Sequence, residues 1–161
     1  MGVFDFLKKK EIVLGAPAEG ECVPLSQVQD PTFGEEILGK GIAVIPSVGT
    51  IYAPADGEIS TVFPTGHAAA MTTPEGVEIL IHVGLDTVNL GGKHFQVGIK
   101  EGDKVKKGDV LIQADIEGIK NEGYDIITPM VICNTQDFEA VEGITGIHVY
   151  PGEDCLKIRK E

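Results

Sequence analysis

The sequence predicts an all-β fold: an antiparallel β-sandwich or barrel of many short strands, with one or two very short helices. Three observations predict it. The apolar segments are short and rich in Val and Ile. They are separated by turn residues, with 21 glycines and 9 prolines in 161 residues. No long stretch keeps a helical period, whereas runs of roughly 4–8 apolar residues between turns read as strands.

Taken in chain order, the strand segments are Gly41–Ile45, Gly57–Phe63, Val77–Val83, Asp109–Gln113 and Asp125–Thr128. Their spacing is that of a sandwich or barrel. The short helices fall at Phe33–Leu38 and Ile116–Glu122. Residues 12–161 read as one domain, which suits the chain length. Residues 1–11 read as a short tail. Within it Val3, Phe4, Phe6 and Leu7 precede three lysines. That pattern suits either a small amphipathic helix touching an anionic membrane or a frayed terminus. The turns at Ala53–Gly57 and Glu101–Asp109 resemble those of biotinyl and lipoyl carrier domains. The lysine hairpin that carries the cofactor in those domains has no counterpart after Leu111.

The formal charge is −12, from 25 acidic and 13 basic side chains. Such a field repels polyanions, so nucleic acid is not an expected partner, while a protein with a basic face would be attracted. Cys22, Cys133 and Cys155 form no CxxC pair and leave an odd count, which fits a reducing compartment. Without a secretory signal or an apolar run of about 18 residues, the expected location is the cytoplasm.

Of the four histidines, His82 stands apart. It lies inside the apolar run Ile79–Leu85. Side chains alternate along a strand, so Val77, Ile79, Ile81, Val83 and Leu85 share a core face. Glu78, Leu80, His82 and Gly84 share the other. A strand glycine beside an imidazole suits a shallow depression approached by something else, with His82 as its floor and Leu80 as its wall. The competing reading is a core histidine bonded to backbone. His67, after Thr65 and Gly66, follows the strand that ends at Phe63. Ala68, Ala69 and Ala70 leave it uncrowded. If the flanking strands pair, the two imidazoles face each other; otherwise His67 is a surface residue in a turn.

The stretch Gly76-Val-Glu-Ile-Leu-Ile-His82-Val-Gly-Leu-Asp-Thr-Val88 resembles the phosphorylation-site motif of the glucose-type enzyme IIA proteins. These belong to the bacterial phosphoenolpyruvate-dependent sugar phosphotransferase system. Pro31–Ala43, Ala53–Gly57, Phe63–His67, Gly102–Asp109 and Thr128–Val131 follow the family's order, so the resemblance covers residues 12 to 158.

The resemblance implies a phosphohistidine carrier. His82 would take a phosphoryl group on Nε2 from the phosphocarrier protein HPr and pass it to the IIB domain of a glucose-type permease. His67 would donate a hydrogen bond to the phosphoryl oxygens, and Thr65 would hold its tautomer. Asp86 also matches the family pattern. On a straight strand it would lie ~13 Å from His82, so it helps only if the chain turns after Gly84 or if it meets an arginine of the partner. Phe33, Leu38 and Leu80 match the apolar partner patch, and Asp30 and Asp86 its acidic rim. A monomer needing no cofactor is expected, with zinc shared with a partner at His67 and His82 allowed by the resemblance. It would sit at the inner membrane face through its permease. The chain departs from the family in a shorter amino-terminal segment and in Leu80, where some members carry an aromatic residue. Two alternatives of other classes are a lipoyl- or biotinyl-like carrier module and a zinc-dependent hydrolase of a related fold. A catalytic zinc usually takes three protein ligands, and the chain has no HxH or HExxH to supply them.

Overall fold

The structure, a computed structural model, describes residues 10–160. The tail reading lies outside those residues except at Lys10 and Glu11, which belong to the first strand. In order, the strands are β1 (Lys10–Gly15), β2 (Gly20–Pro24), β3 (Lys40–Pro46), β4 (Thr50–Tyr52), β5 (Gly57–Val62), β6 (Ala68–Thr72) and β7 (Glu78–His82). Then come β8 (Phe95–Val97), β9 (Lys104–Val105), β10 (Val110–Ala114), β11 (Thr128–Ile132), β12 (Ala140–Gly143), β13 (Ile147–Val149) and β14 (Asp154–Lys160). Two short α-helices interrupt them, α1 (Pro31–Gly34) and α2 (Ile116–Asn121). Among the described residues the fold is all-β and every strand pairing is antiparallel, as the sequence predicts.

An eight-stranded sheet runs in the order β13-β2-β3-β11-β7-β6-β5-β9, and two three-stranded sheets, β1-β14-β12 and β4-β10-β8, complete the sandwich. The main core joins all three. Ile42, Val44, Ile79, Ile81, Met130 and Ile132 from the large sheet meet Leu14, Ile51, Ile112, Leu156 and Ile158 from the small ones. Each such side chain, fully buried, contributes roughly 1.5–3 kcal/mol. The period-2 alternation then decides where the site sits. Ala43, Leu80 and Val131, each one residue out of phase with the main core, point to the opposite face of the sheet. There they join Leu25, Val28, Phe33, Leu85 and Ile127 in a second, smaller core. His82 shares the phase of Leu80, so it projects on this second face.

Four sequence expectations need correction. First, the strand expected over Asp125–Thr128 is β11, which begins at Thr128. The Asp125 carboxylate accepts a hydrogen bond from the Ile127 amide (2.9 Å), closing residues 125–127 into a turn. Pro129 is tolerated in β11 because the pairing with β7 spans only Met130 to Ile132. Second, α1 starts at Pro31 and not at Phe33. The Asp30 side chain caps it by accepting from Thr32 N at 3.0 Å, Pro31 occupies the first turn, and a left-handed Glu36 (φ 59°) stops it before Leu38. Third, Ala68–Thr72 is not an open surround for His67 but a strand, β6, between β5 and β7. Fourth, Leu85 does not share the main-core face. β7 ends at His82, Gly84 turns with φ 80°, and Leu85 lands in the second core. The other helix holds as expected: Asp115 caps α2 through Gly118 N at 3.1 Å, with Glu117 in its first turn and Lys120 in its last.

Candidate functional site

The β6–β7 register places Ala68 opposite His82. His67 immediately precedes Ala68, and its carbonyl accepts from Val83 N at 2.7 Å, so one backbone hydrogen bond ties the two histidine positions together. The β5–β6 connection is a tight turn in which Gly66 N donates to Phe63 O at 2.8 Å, with Gly66 at φ 71°. The two imidazole rings meet with centroids 4.8 Å apart and planes at 81°. Phe63 lies edge-on to His67 at 5.4 Å, and Phe33 lies tilted against His82 at 5.0 Å.

The two rings differ in exposure and partners. His82 is half-buried, whereas His67 is 2% exposed. His67 is therefore not a surface residue in a turn, the alternative that the sequence left open. His82 Nδ1 lies 2.7 Å from the Gly84 carbonyl oxygen. A carbonyl only accepts, so Nδ1 carries the proton and the Nε2 lone pair is left free. His67 Nδ1 lies 2.6 Å from Thr65 Oγ1. The hydroxyl can donate there, which leaves Nε2–H of His67 as a donor.

Both imidazoles are held neutral. Burial, and to a lesser extent the neighbouring His82, together pull the His67 pKa from 6.5 down to about 4. Burial also lowers the pKa of His82. The Gly84 carbonyl, Asp30 and Asp86 oppose that shift. The influence of Asp86 answers the question raised by its distance along the chain. Gly84 and Asp86 both adopt left-handed conformations (φ 80° and 60°), and the chain folds back on His82.

The expected partner patch is less exposed than a docking surface of three open side chains. Phe33 is 4% and Leu80 9% exposed, both built into the second core, whereas Leu38 is 38% exposed and its neighbour Ile37 69%. Val88, beyond Asp86, is also exposed. Of the remaining histidines, His94 bonds through Nε2 to Glu122, and His148 packs against Tyr150. Sequence reasoning did not name Phe63, or the Gly84 carbonyl as the partner of His82. The left-handed demand on a strand-end glycine was the available signal.

A neutral imidazole on a half-buried residue, its Nε2 lone pair free, with a second imidazole against it and carboxylates near enough to act on it, is an arrangement that can serve group transfer through histidine. The chain belongs to the family described as phosphoenolpyruvate-dependent sugar phosphotransferase system, EIIA 1, whose model matches residues 12–138. It is accordingly a phosphotransferase component of that system, a carrier of phosphoryl groups.

Its relatives include glucose-specific and beta-glucoside-specific members. It is 44% identical over 147 residues to the PTS system glucose-specific EIIA component of Oceanobacillus iheyensis, covering 91% of this chain and 89% of that protein. It is 46% identical over 126 residues to the PTS system beta-glucoside-specific EIIBCA component of Bacillus subtilis, covering 78% of this chain and 21% of that longer protein. The solved structure of glucose permease IIA from Mycoplasma capricolum superposes with a TM-score of 0.87 at 32% identity, over 98% of this chain and 99% of that one. The family match displaces the lipoyl-type carrier and the hydrolase as readings.

Proposed function

We propose that His82 is the phosphoryl acceptor, taking the group on Nε2 from the phosphohistidine of the phosphocarrier protein HPr and passing it to the IIB domain of a sugar permease in the cytoplasm. The observation that carries this reading is the hydrogen bond from His82 Nδ1 to the Gly84 carbonyl (2.7 Å), which commits the lone pair to Nε2. As the Nε2–P bond forms, the donor's P–N bond breaks and its electron pair returns to the donor imidazole. Positive charge then develops on the His82 ring, and the Gly84 carbonyl stabilises it through Nδ1–H. The P–N bond keeps a high transfer potential, so the group can leave again by the same route.

His67 presents Nε2–H to the phosphoryl oxygens while Thr65 Oγ1 donates to Nδ1. Because this ring is neutral near pH 7, it acts as an oriented donor and not as a counter-ion. The protein therefore contributes mainly position and electrostatics. Asp30 and Asp86 offer a negative rim to a basic partner, and Leu38 with Ile37 offers exposed apolar surface beside it. Relatives that carry EIIB, EIIC and EIIA on one chain support the IIB domain as the next acceptor. The whole assignment rests on one phosphotransfer domain over residues 12–161.

Among the described residues no group of three or more His, Cys, Asp or Glu side chains is placed to hold a metal ion. The histidine pair offers two nitrogen donors, so zinc held here would need further ligands from a partner. Transfer as written uses none.

The test is incubation with phosphoenolpyruvate, enzyme I and HPr. The expected result is one acid-labile phosphate per chain, lost in His82→Gln. His67→Gln should accept phosphate and pass it on slowly. Undiminished labelling of His82→Gln would overturn the proposal.

A further inference from the structure

Thr87 has no place in the transfer chemistry, yet it is wholly buried beside the site. Its hydroxyl donates to the Val83 carbonyl at 2.5 Å. That carbonyl belongs to the peptide joining Val83 to Gly84. The N–H of the same peptide donates to Ile127 O at 3.1 Å. The next peptide, Gly84 to Leu85, is held in the same two-ended way. Its carbonyl accepts from His82 Nδ1, and its N–H donates to Asp125 O at 3.0 Å. Val83 N, in the peptide before these two, donates to His67 O at 2.7 Å. The left-handed Gly84 lies between these planes, with no room for a side chain: a Cβ there would sit 2.6 Å from Thr87 Cγ2 and 2.8 Å from Asp125 O.

We infer that Thr87 is a positioning residue for phosphoryl transfer: by bonding Val83 O it orients the Val83–Gly84–Leu85 backbone so that the Gly84 carbonyl faces His82 Nδ1 and keeps the lone pair on Nε2. Peptide planes are stiff, so rotation at the Val83 carbonyl is passed to the Gly84 carbonyl through a single residue, and that residue is the most freely rotating of the twenty. A glycine aimed at a catalytic ring needs an external tether. Thr87 supplies it from one side, and the 125–127 turn supplies it from the other. The arrangement resembles the way a metal-bound or catalytic histidine is set by the acceptor on its second nitrogen, with the acceptor itself held by a further bond.

The inference rests on the reading of His82 as acceptor, and its test separates the two. In the wild-type protein, the ring nitrogens of His82 observed by 15N NMR, without any phosphoryl donor, should show a protonated Nδ1 and an unprotonated Nε2. Thr87→Val keeps the shape and removes the hydroxyl. It should move both signals toward their average as the tautomers mix. It should also lower kcat for phosphoryl acceptance about tenfold, with KM for the donor protein within about twofold of wild type. Thr87→Ser restores the hydroxyl and should recover most of the rate. A purely structural threonine would leave the tautomer signals in place. Wild-type tautomer and kcat in Thr87→Val would overturn the inference. So would equal losses in Ser and Val, or an Nε2–H tautomer in the wild-type protein, which needs no variant to fold. Absence of wild-type labelling would instead remove the acceptor reading and leave the tautomer result standing.

Discussion

Gly84→Ala should damage stability and transfer together, and the structure lets the two sources be separated. The residue sits at φ 80°, where an L side chain costs roughly 1–2 kcal/mol. Its new Cβ would also meet Thr87 Cγ2 at 2.6 Å and the Asp125 carbonyl oxygen at 2.8 Å. The second of these is backbone and cannot swing aside, so overpacking adds about 1–3 kcal/mol. The total is about 2–5 kcal/mol. Gly102 is the internal control. It has φ 90° and nothing within 4 Å of an added Cβ, so Gly102→Ala should cost only the backbone part, roughly 1–2 kcal/mol. Urea unfolding gives both numbers, read from the midpoint with the slope unchanged. The clash must also displace the Gly84 carbonyl from His82 Nδ1, so phosphoryl acceptance by the folded variant should fall about tenfold or more, the worth of a hydrogen bond to a ring that becomes charged. If Gly84→Ala is no less stable than Gly102→Ala and is labelled at the wild-type rate, the carbonyl is not the ring's anchor and the reasoning fails.

Other consequences follow from burial. The unfolded chain protonates His67 near pH 6.5, the folded one near 4, so between those values the unfolded state binds more protons. Stability fully present above pH 6.5 should therefore be lost as pH falls toward 4, by roughly 3 kcal/mol from this residue. Urea unfolding as a function of pH checks this, and the slope should flatten in His67→Gln. The lowered pKa of His82 should leave more of its nucleophile unprotonated than in a free imidazole at the same pH, so the acceptance rate, measured against pH, should fall off below the point where a free imidazole titrates. The thiols should divide by position. Cys22 and Cys155 are fully buried, with pKa values pushed up, for Cys22 to about 11, while Cys133 is exposed. A thiol reagent should modify Cys133 alone in the folded protein and all three after unfolding.

Much of this architecture was legible because alternation is a strong signal where a strand has two different faces. Ile79, Leu80, Ile81 and His82 divide between the two cores as period 2 requires, and Leu80 falls on the histidine's side. The signal failed where composition and context disagree. Ala68, Ala69 and Ala70 have low β propensity, yet they form a strand because neighbours on both sides supply its hydrogen bonds. Pro129 discourages a strand reading, and its tolerance depends on where the pairing with β7 stops. The depth of His67 was hidden for a related reason. A histidine beside a turn reads as exposed until β8, carrying Phe95 and Val97, is seen against Gly66. The contribution of Asp86 was legible only as a condition, that the chain turn after Gly84, and the left-handed angles at residues 84 and 86 meet it.

Phosphorus–nitrogen coupling in 15N-labelled protein, phosphorylated through HPr, reads the acceptor atom itself. A single coupling to Nε2 of residue 82, with Nδ1 still protonated, is the predicted result. Phosphorus on Nδ1 of that ring, or on any other residue, would contradict the tautomer on which the transfer chemistry is built.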